Sequence, residues 1–173
     1  MTLKFKIENH TIGDGNPCFV IAEIGSNHNN NYEQALKLID AAAEAGVDAV
    51  KFQTFKVSSH YSKKAPSFDY LDGVSTYDLI RSLEINRDWH QPLKEYSENS
   101  GLVFLSSPCD NDAIAELDRL EIGAFKLASF DLPDLRLIQK MAETGRPLIF
   151  STGMANWMDI QQAVDTARDT GNN

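Results

Sequence analysis

Two charged side chains fall inside stretches of the sequence that are otherwise apolar. Glu23 follows the apolar run 19–22, and Lys51 lies between Val50 and Phe52. Runs of this kind predict strands of a parallel sheet that is covered on both faces. A charge in such a strand is costly unless it is paired or hydrogen-bonded. Glu23 and Lys51 are therefore the first candidates for a functional site, and a structural ion pair between them is the alternative.

Further polar side chains recur where other predicted strands end, at Gln53, Ser107, Lys126 and Ser129. Asp131 follows two residues later. Parallel barrel enzymes carry their chemistry at the carboxyl ends of their strands, so this placement favours a site. The alternatives are that the serines satisfy loop backbone groups and that Asp131 is a helix N-cap.

The elements that would position these residues alternate between strand and helix. Strands are predicted at 18–24, 49–54, 102–107, 124–128 and 147–151, each followed by an amphipathic or capped helical segment. Asp110 is predicted to cap the helix after 102–107, and Asn156 and Asp159 form a capping-box-like pair at the start of the helix after 147–151. Such alternation predicts a parallel α/β sheet, either doubly wound or part of a (β/α)8 barrel. No glycine-rich phosphate fingerprint follows the first strand, which disfavours a dinucleotide fold. A TIM barrel needs about 250 residues, so we predict a barrel of this type truncated to about five βα units.

Three segments outside this alternation carry their own predictions. Residues 3–7 and the turn signal at 13–17 predict a small N-terminal β-hairpin. Residues 56–75 read as a long polar loop, and loops of that length are often functional. A helix is predicted over 86–100, although Pro92 is costly in a helix interior.

Composition limits the classes of function. The chain has 173 residues and a net charge of −9, which argues against nucleic acid as a partner because a basic face would be expected. Cys18 and Cys109 lack metal-site spacing and are interpreted as reduced and incidental. No apolar run is long enough to span a bilayer, so we expect a cytoplasmic protein without a membrane partner.

Five segments occur in order along the chain: IAEIGSNHN (21–29), AGVDAVKFQTFK (45–56), FLSSPCD (104–110), FKLASFDL (125–132) and PLIFSTGM (147–154). Together they resemble the sialic acid synthase family, whose members condense phosphoenolpyruvate to make N-acetylneuraminate and related nonulosonates. Five ordered motifs with compatible spacing are far more specific than any single one. The resemblance implies a (β/α)8 barrel and a small C-terminal antifreeze-like domain. Residues 1–173 would then be a single partial barrel domain, with the later strands and the antifreeze-like domain absent.

The resemblance also implies roles for the candidate residues. Lys51, Ser107, Lys126 and Ser129 match positions that hold phosphoenolpyruvate, and Lys51 and Lys126 are expected to be catalytic together with Glu23. Glu23 and Gln53 match positions near the sugar, and Asp131 matches an acidic position, usually Glu, that binds substrate. The expected reaction joins phosphoenolpyruvate to an N-acetylmannosamine-type aldehyde and releases phosphate.

The expected cofactor is a divalent metal, Mn²⁺ or Mg²⁺, whose histidine ligands in the family come from strands beyond residue 173. No metal ligand is therefore predicted within this chain. Ser107 replaces a usual threonine, Cys109 a usual phenylalanine, and Asn29-Asn30 a usual Asn-Gly, so asparagine would have to adopt any left-handed turn there.

Two other functions stay open on the sequence. One is a non-catalytic fragment or phosphoenolpyruvate-binding remnant, and the other is a phosphoenolpyruvate-condensing synthase of the sugar-phosphate class. A five-stranded arc would leave apolar edge strands, which invite pairing. We therefore expect the chain to form homo-oligomers or to be poorly soluble.

Overall fold

Seven strands and seven α-helices make up the chain in a computed structural model, which describes residues 4–67 and 73–172. The strands are β1 (Lys4–Ile7), β2 (His10–Gly13), β3 (Ile21–Gly25), β4 (Ala49–Thr54), β5 (Val103–Pro108), β6 (Phe125–Leu127) and β7 (Leu148–Phe150). The helices are α1 (Tyr32–Glu44), α2 (Val57–His60), α3 (Thr76–Ser82), α4 (His90–Asn99), α5 (Asn111–Arg119), α6 (Leu135–Ala142) and α7 (Trp157–Asp169). Within these same described residues, short 3₁₀ turns cover Arg87–Trp89 and Ser129–Asp131.

Strands β3 to β7 form one sheet in which every pair is parallel and neighbours follow one another in chain order. A doubly wound sheet would reverse its strand order at a switch point, and this sheet does not. The order is that of a TIM barrel. The predicted α/β barrel fold with about five βα units is therefore confirmed.

Strand β4 shows how the two faces of the sheet differ. Val50 and Phe52 pack outward in the large core against the helices, and the Phe52 ring stacks on Phe104 with centroids 5.5 Å apart. Ala49 instead faces a smaller inner cluster with Leu105. Because side chains alternate along a strand, Lys51 and Gln53 share the inner face with Ala49. Lys51 and Gln53 therefore point to the inner side of the sheet, as the period of two along a predicted strand 49–54 requires.

The N-terminal hairpin of β1 and β2 is present, but its turn differs from the prediction. Ile7 pairs with His10, so Glu8 and Asn9 form a tight turn, with Glu8 at φ 50°. The glycine-rich segment predicted to be the turn follows β2 instead. Ile7 is almost completely buried in the inner cluster, and the hairpin thereby supplies an apolar side chain to the interior of the sheet.

Two local predictions need correction. The segment 56–75 contains the short helix α2, and residues 68–72 lie outside the described part of the chain. The helix predicted over 86–100 begins as the Arg87–Trp89 3₁₀ turn and continues as α4. Pro92 lies in the first turn of α4, where its missing N–H has no intrahelical partner to lose, so it causes no break.

Helix caps agree well with the sequence. The side chain of Asp110 accepts from the backbone N–H of Ala113 and begins α5. Asn156 and Asp159 form the predicted capping box of α7. Among the strands, only β4 matches its predicted range at both ends. The ranges predicted for β3, β6 and β7 are longer than the observed strands or offset from them; these ranges are 18–24, 124–128 and 147–151.

Candidate functional site

A cavity of about 820 Å³ opens at the carboxyl ends of the parallel strands. All seven residues predicted for the site line it: Glu23, Lys51, Gln53, Ser107, Lys126, Ser129 and Asp131. They come from four adjacent strands and the turn after the last of these, which places their side chains around one volume.

Lys51 lies at the base of this cavity. Its register partner on β3 is Glu23, and the Lys51 ammonium forms an ion pair with the Glu23 carboxylate. Its Nζ also donates to the Ser107 hydroxyl at 3.3 Å. The Lys51 residue is only 8% exposed, whereas the Glu23 side chain is 49% exposed. The ion pair with Glu23, which was the structural alternative for Lys51, is thus present. This pair faces the cavity rather than the protein interior.

Lys126 approaches from β6 and differs in its partners. Its Nζ donates to the Ser151 hydroxyl at 2.5 Å and to the Leu127 carbonyl at 2.6 Å. Across residues 4–67 and 73–172, no carboxylate oxygen lies within 4.0 Å of this nitrogen. Burial, followed by the positive charge of Lys51, lowers the pKa of the Lys126 ammonium. The cavity therefore contains a cation that lacks a directly paired anion.

The loop after β3 forms one wall. Gly25 has φ +55°, and a Cβ there would lie 3.0 Å from the Glu23 Oε1 atom, so glycine at this position leaves room for the carboxylate. The Ser26 hydroxyl donates to the Gln53 side-chain oxygen at 3.5 Å. Asn29 and Asn30 both have positive φ, as predicted for asparagines in a left-handed turn.

The turn after β6 carries Ser129 and Asp131. Asp131 is 9% exposed, and burial raises the pKa of its carboxyl while His60 opposes this. It does not cap α6, because Asp134 accepts from the backbone N–H groups of Arg136 and Leu137. The N-cap interpretation of Asp131 is therefore wrong, and its side chain is available to the cavity.

Several cavity residues were not singled out from the sequence: His60, Tyr61, Cys109 and Ser151. Cys109 and Ser151 directly follow β5 and β7, so the strand-end rule that found the other residues would have found them too. His60 ends α2 and Tyr61 directly follows it, inside the segment 56–75 that was interpreted as a long polar loop. Both cysteines are free, as predicted, but Cys109 borders the site and is not incidental to it.

One group of side chains in the described part of the chain has the composition of a metal site, namely His60, Cys109 and Asp131. The metal implied by the family resemblance was expected to take its ligands from later strands. The three residues here are a different set, with a sulfur donor that Mg²⁺ and Mn²⁺ do not favour. They therefore do not fit the expected metal as a ready-made site.

No helix within residues 4–67 and 73–172 has the length and apolar character needed to cross a membrane.

Comparison with known proteins identifies the family. The chain is 42% identical over 171 residues to the spore coat polysaccharide biosynthesis protein SpsE of Bacillus subtilis, covering 98% of this chain and 46% of that protein. It is 34% identical over 161 residues to the N,N′-diacetyllegionaminic acid synthase of Legionella pneumophila, covering 90% and 45%. The chain thus spans about half the length of these curated relatives.

Solved structures give the same result. The crystal structure of an N-acetylneuraminic acid synthetase from Leptospira borgpetersenii superimposes with a TM-score of 0.87 at 28% identity, covering 99% of this chain and 57% of that one. Residues 38–173 match the NeuB family, and the matched span holds six of the seven predicted site residues. The chain belongs to the NeuB family.

Proposed function

We propose that this chain forms the phosphoenolpyruvate-binding part of a nonulosonate synthase. The reaction would join phosphoenolpyruvate to an N-acetylmannosamine-type aldehyde sugar and release phosphate. The observation that carries the proposal is the pair Lys51 and Lys126, which reach one cavity from two non-adjacent strands. The names of the relatives, a legionaminic acid synthase among them, support this class of product.

The substrate suits the two ammonium groups. Phosphoenolpyruvate carries a phosphate and a carboxylate, and lysines act on such anions as compact point charges. Lys126 has no carboxylate within ion-pair distance in the described chain, so it can take one anionic group directly. Lys51 can share its charge between Glu23 and the second anionic group. The hydroxyls of Ser107 and Ser129 are placed to orient the bound molecule as hydrogen-bond donors.

The chemical steps of this reaction require roles for the other side chains of the cavity. The methylene carbon of phosphoenolpyruvate attacks the aldehyde carbon, and the aldehyde oxygen gains a proton. Water then adds to the cationic carbon that bears the phosphate and releases one proton, which balances the proton gained by the aldehyde oxygen. The new hydroxyl becomes the carbonyl as phosphate leaves with the electrons of its C–O bond and takes up the second proton. Glu23 and Gln53 line the same cavity and would contact the sugar beside phosphoenolpyruvate, and Glu23, paired with Lys51, would exchange a proton at this junction. Holding two substrates in contact supplies a large part of the rate.

A divalent metal, when bound, would polarise the aldehyde oxygen as a Lewis acid. By the family resemblance its ligands belong to strands after residue 173. The same strands would complete the wall that reads the far end of the sugar, so turnover is expected of a whole barrel and anion binding of this part.

The test is calorimetric titration of the chain with phosphoenolpyruvate, beside Lys51→Ala and Lys126→Ala. A charge-assisted hydrogen bond contributes about 1.5–3 kcal/mol, so each variant should bind about 10- to 150-fold more weakly. Lys37→Ala, which removes an exposed lysine from α1, is the matched control and should bind as the unaltered chain does.

Two outcomes would contradict the proposal. A folded chain that does not bind phosphoenolpyruvate would show that the cavity is not preformed for it. Equal weakening by all three variants would show that net charge, not the cavity, is responsible. Binding that persists without turnover, even when the missing half of a relative is supplied in trans, would favour the alternative of a binding remnant.

A further inference from the structure

His60, Cys109 and Asp131 are brought together by three different loops. His60 ends α2 after β4, Cys109 directly follows β5, and Asp131 ends the 3₁₀ turn after β6. One donor atom from each lies within 4.8 Å of the others, and His60 Nε2 is 3.9 Å from Asp131 Oδ1. Side chains so far apart in sequence and so close in space form a defined cluster.

The backbone around each of the three is held in place. The Cys109 N–H donates to the Thr54 carbonyl at 3.0 Å, which anchors it to the end of β4. The Asp131 N–H donates to the Ala128 carbonyl at 3.1 Å. Beside His60, the Ser59 hydroxyl donates to Asp110 at 3.3 Å. The donors are therefore positioned by the scaffold.

The charge of the cluster is not balanced. Asp131 is 9% exposed, and within residues 4–67 and 73–172 the one basic side chain within 4.0 Å of its carboxylate is the imidazole of His60, whose Nε2 is 3.9 Å away and beyond hydrogen-bond distance. A buried carboxylate is costly unless it is paired or bound to a cation. A cation among the three donors would supply the missing partner.

The donor types select the class of cation. Thiolate sulfur, imidazole nitrogen and carboxylate oxygen are the donors that Zn²⁺ takes, with three protein ligands and one open position in catalytic sites. Bonds of about 2.0–2.3 Å place tetrahedral ligands about 3.3–3.8 Å apart, so these donors, which lie within 4.8 Å of one another, need to close in by at most about 1.5 Å. The fourth position would face the cavity that the three side chains line.

We propose that His60, Cys109 and Asp131 form a binding site for one divalent cation of the zinc class, separate from the metal implied by the family. The Cys109 thiol loses its proton to solvent when the ion binds, and the sulfur becomes a thiolate ligand. The site is defined by this chain's own residues, so it does not depend on phosphoenolpyruvate binding.

The test uses the whole chain without an affinity tag and in the Cys18→Ser background, which leaves Cys109 as the sole thiol. Titration with Co²⁺ should produce a sulfur-to-cobalt charge-transfer band and the visible bands of a tetrahedral site. X-ray absorption of the Zn²⁺-loaded protein should show one sulfur at about 2.3 Å and nitrogen or oxygen neighbours at about 2.0–2.2 Å.

Variants then assign the ligands. Cys109→Ser should abolish the charge-transfer band, and His60→Gln and Asp131→Asn should each raise the dissociation constant by about 100-fold or more, since even outer-shell losses cost 10–100-fold. His10→Gln, which alters a half-exposed histidine of the hairpin, is the control and should leave the titration unchanged.

An absorption spectrum without a sulfur neighbour, or a titration unaffected by Cys109→Ser, would overturn the proposal. The cluster would then be a hydrogen-bonded group formed by Cys109 and Asp131 beside His60. Because the absorption measurement is made with all three ligands intact, misfolding of a variant does not affect this outcome.

Discussion

At the scale of single residues, the two lysines of the cavity are electrostatically unlike. Lys51 is nearly buried and paired with Glu23, whereas Lys126 is held by a hydroxyl and a carbonyl. Neutral oxygen partners stabilise an ammonium less than a carboxylate does. Lys126 is therefore the group whose charge depends most on what occupies the cavity.

This difference gives a prediction for Lys51→Met. Burial and the charge of Lys51 both lower the pKa of Lys126, so removing the Lys51 charge should raise that pKa toward the ordinary lysine value. The measurement is the pH titration of the side-chain resonances of ¹³C-methylated lysines, with the Lys126 signal assigned by its loss in Lys126→Arg. Lys37→Met is the control.

The lowered pKa of Lys126 also sets the direction in which phosphoenolpyruvate affinity changes with pH. A lowered pKa means that the Lys126 charge is lost at a lower pH than that of an ordinary lysine, so phosphoenolpyruvate affinity should fall as pH rises through that lowered value. In the absence of ligand the unfolded state binds more protons between the two pKa values, so this group makes stability rise with pH over that window. A Lys126 titration that is the same in the Lys51→Met variant would contradict the assigned coupling.

The residue scale is also where the sequence was most informative about the site. Glu23, Lys51 and Lys126 could be picked out because charges are rare in apolar strands, and parallel strands end at one edge of a sheet. His60 could not be found this way, since it reaches the cavity from a helix in a polar segment without periodicity. Cys109 was passed over because cysteine spacing carries no signal when the ligands come from separate loops.

At the scale of elements, a buried chain of polar groups joins β5, β4, α4 and α5. The Ser106 and Thr54 hydroxyls are 2.7 Å apart, and Thr54 Oγ1 is 3.0 Å from His90 Nε2. His90 Nδ1 is 2.6 Å from Glu116 on α5. With Nδ1–H donating to Glu116, Nε2 is free to accept from Thr54, which uses both ring nitrogens.

We predict that His90→Phe lowers the free energy of unfolding by about 1–3 kcal/mol, because it leaves a buried Thr54 hydroxyl without this partner. His90 is 1% exposed, so water cannot replace the ring nitrogen. The measurement is urea unfolding followed by circular dichroism. His10→Phe, at a half-exposed position, should change stability by no more than about 0.5 kcal/mol, and equal losses in the two variants would contradict the role of the buried chain.

Element boundaries show what sequence patterns can and cannot specify. The capping residues Asp110 and Asn156 were identified correctly because capping depends on local side-chain chemistry. The N-terminal turn was misplaced because the glycine-rich segment after β2 carries a stronger turn signal than Glu8-Asn9, which turns with a non-glycine residue at positive φ. Tertiary pairing in the hairpin overrides the local preference there.

At the scale of the whole molecule, the parallel sheet has two unpaired edges in the described chain. β3 pairs with β4 alone, and β7 pairs with β6 alone. Large apolar side chains are exposed beyond β7, including Met154, Trp157 and Met158, with Trp157 76% exposed. The sequence indicated the number of units and the two apolar edge strands, because five strands cannot close a barrel of eight.

The free edge of β7 leads to a prediction about assembly. The Ser151 N–H donates to Leu127 of β6, and the Phe125 N–H donates to the Pro147 carbonyl. Because backbone groups alternate in direction along a strand, the N–H of Phe150 points to the unpaired side. An edge with open donors and apolar side chains promotes pairing between chains, so the unaltered chain should sediment as concentration-dependent oligomers.

Phe150→Pro removes the N–H at the free edge while leaving the bonds to β6 in place, and a proline there tolerates the extended conformation of the preceding residue. Phe150→Ala deletes the same aromatic ring but keeps the donor, so it is the matched control. Sedimentation velocity should show that Phe150→Pro is shifted toward monomer relative to Phe150→Ala at equal concentration. If the two variants associate alike, the assembly does not use the β7 edge. The exposed apolar residues around Trp157 would then be the surface to alter next, because they remain uncovered in both variants.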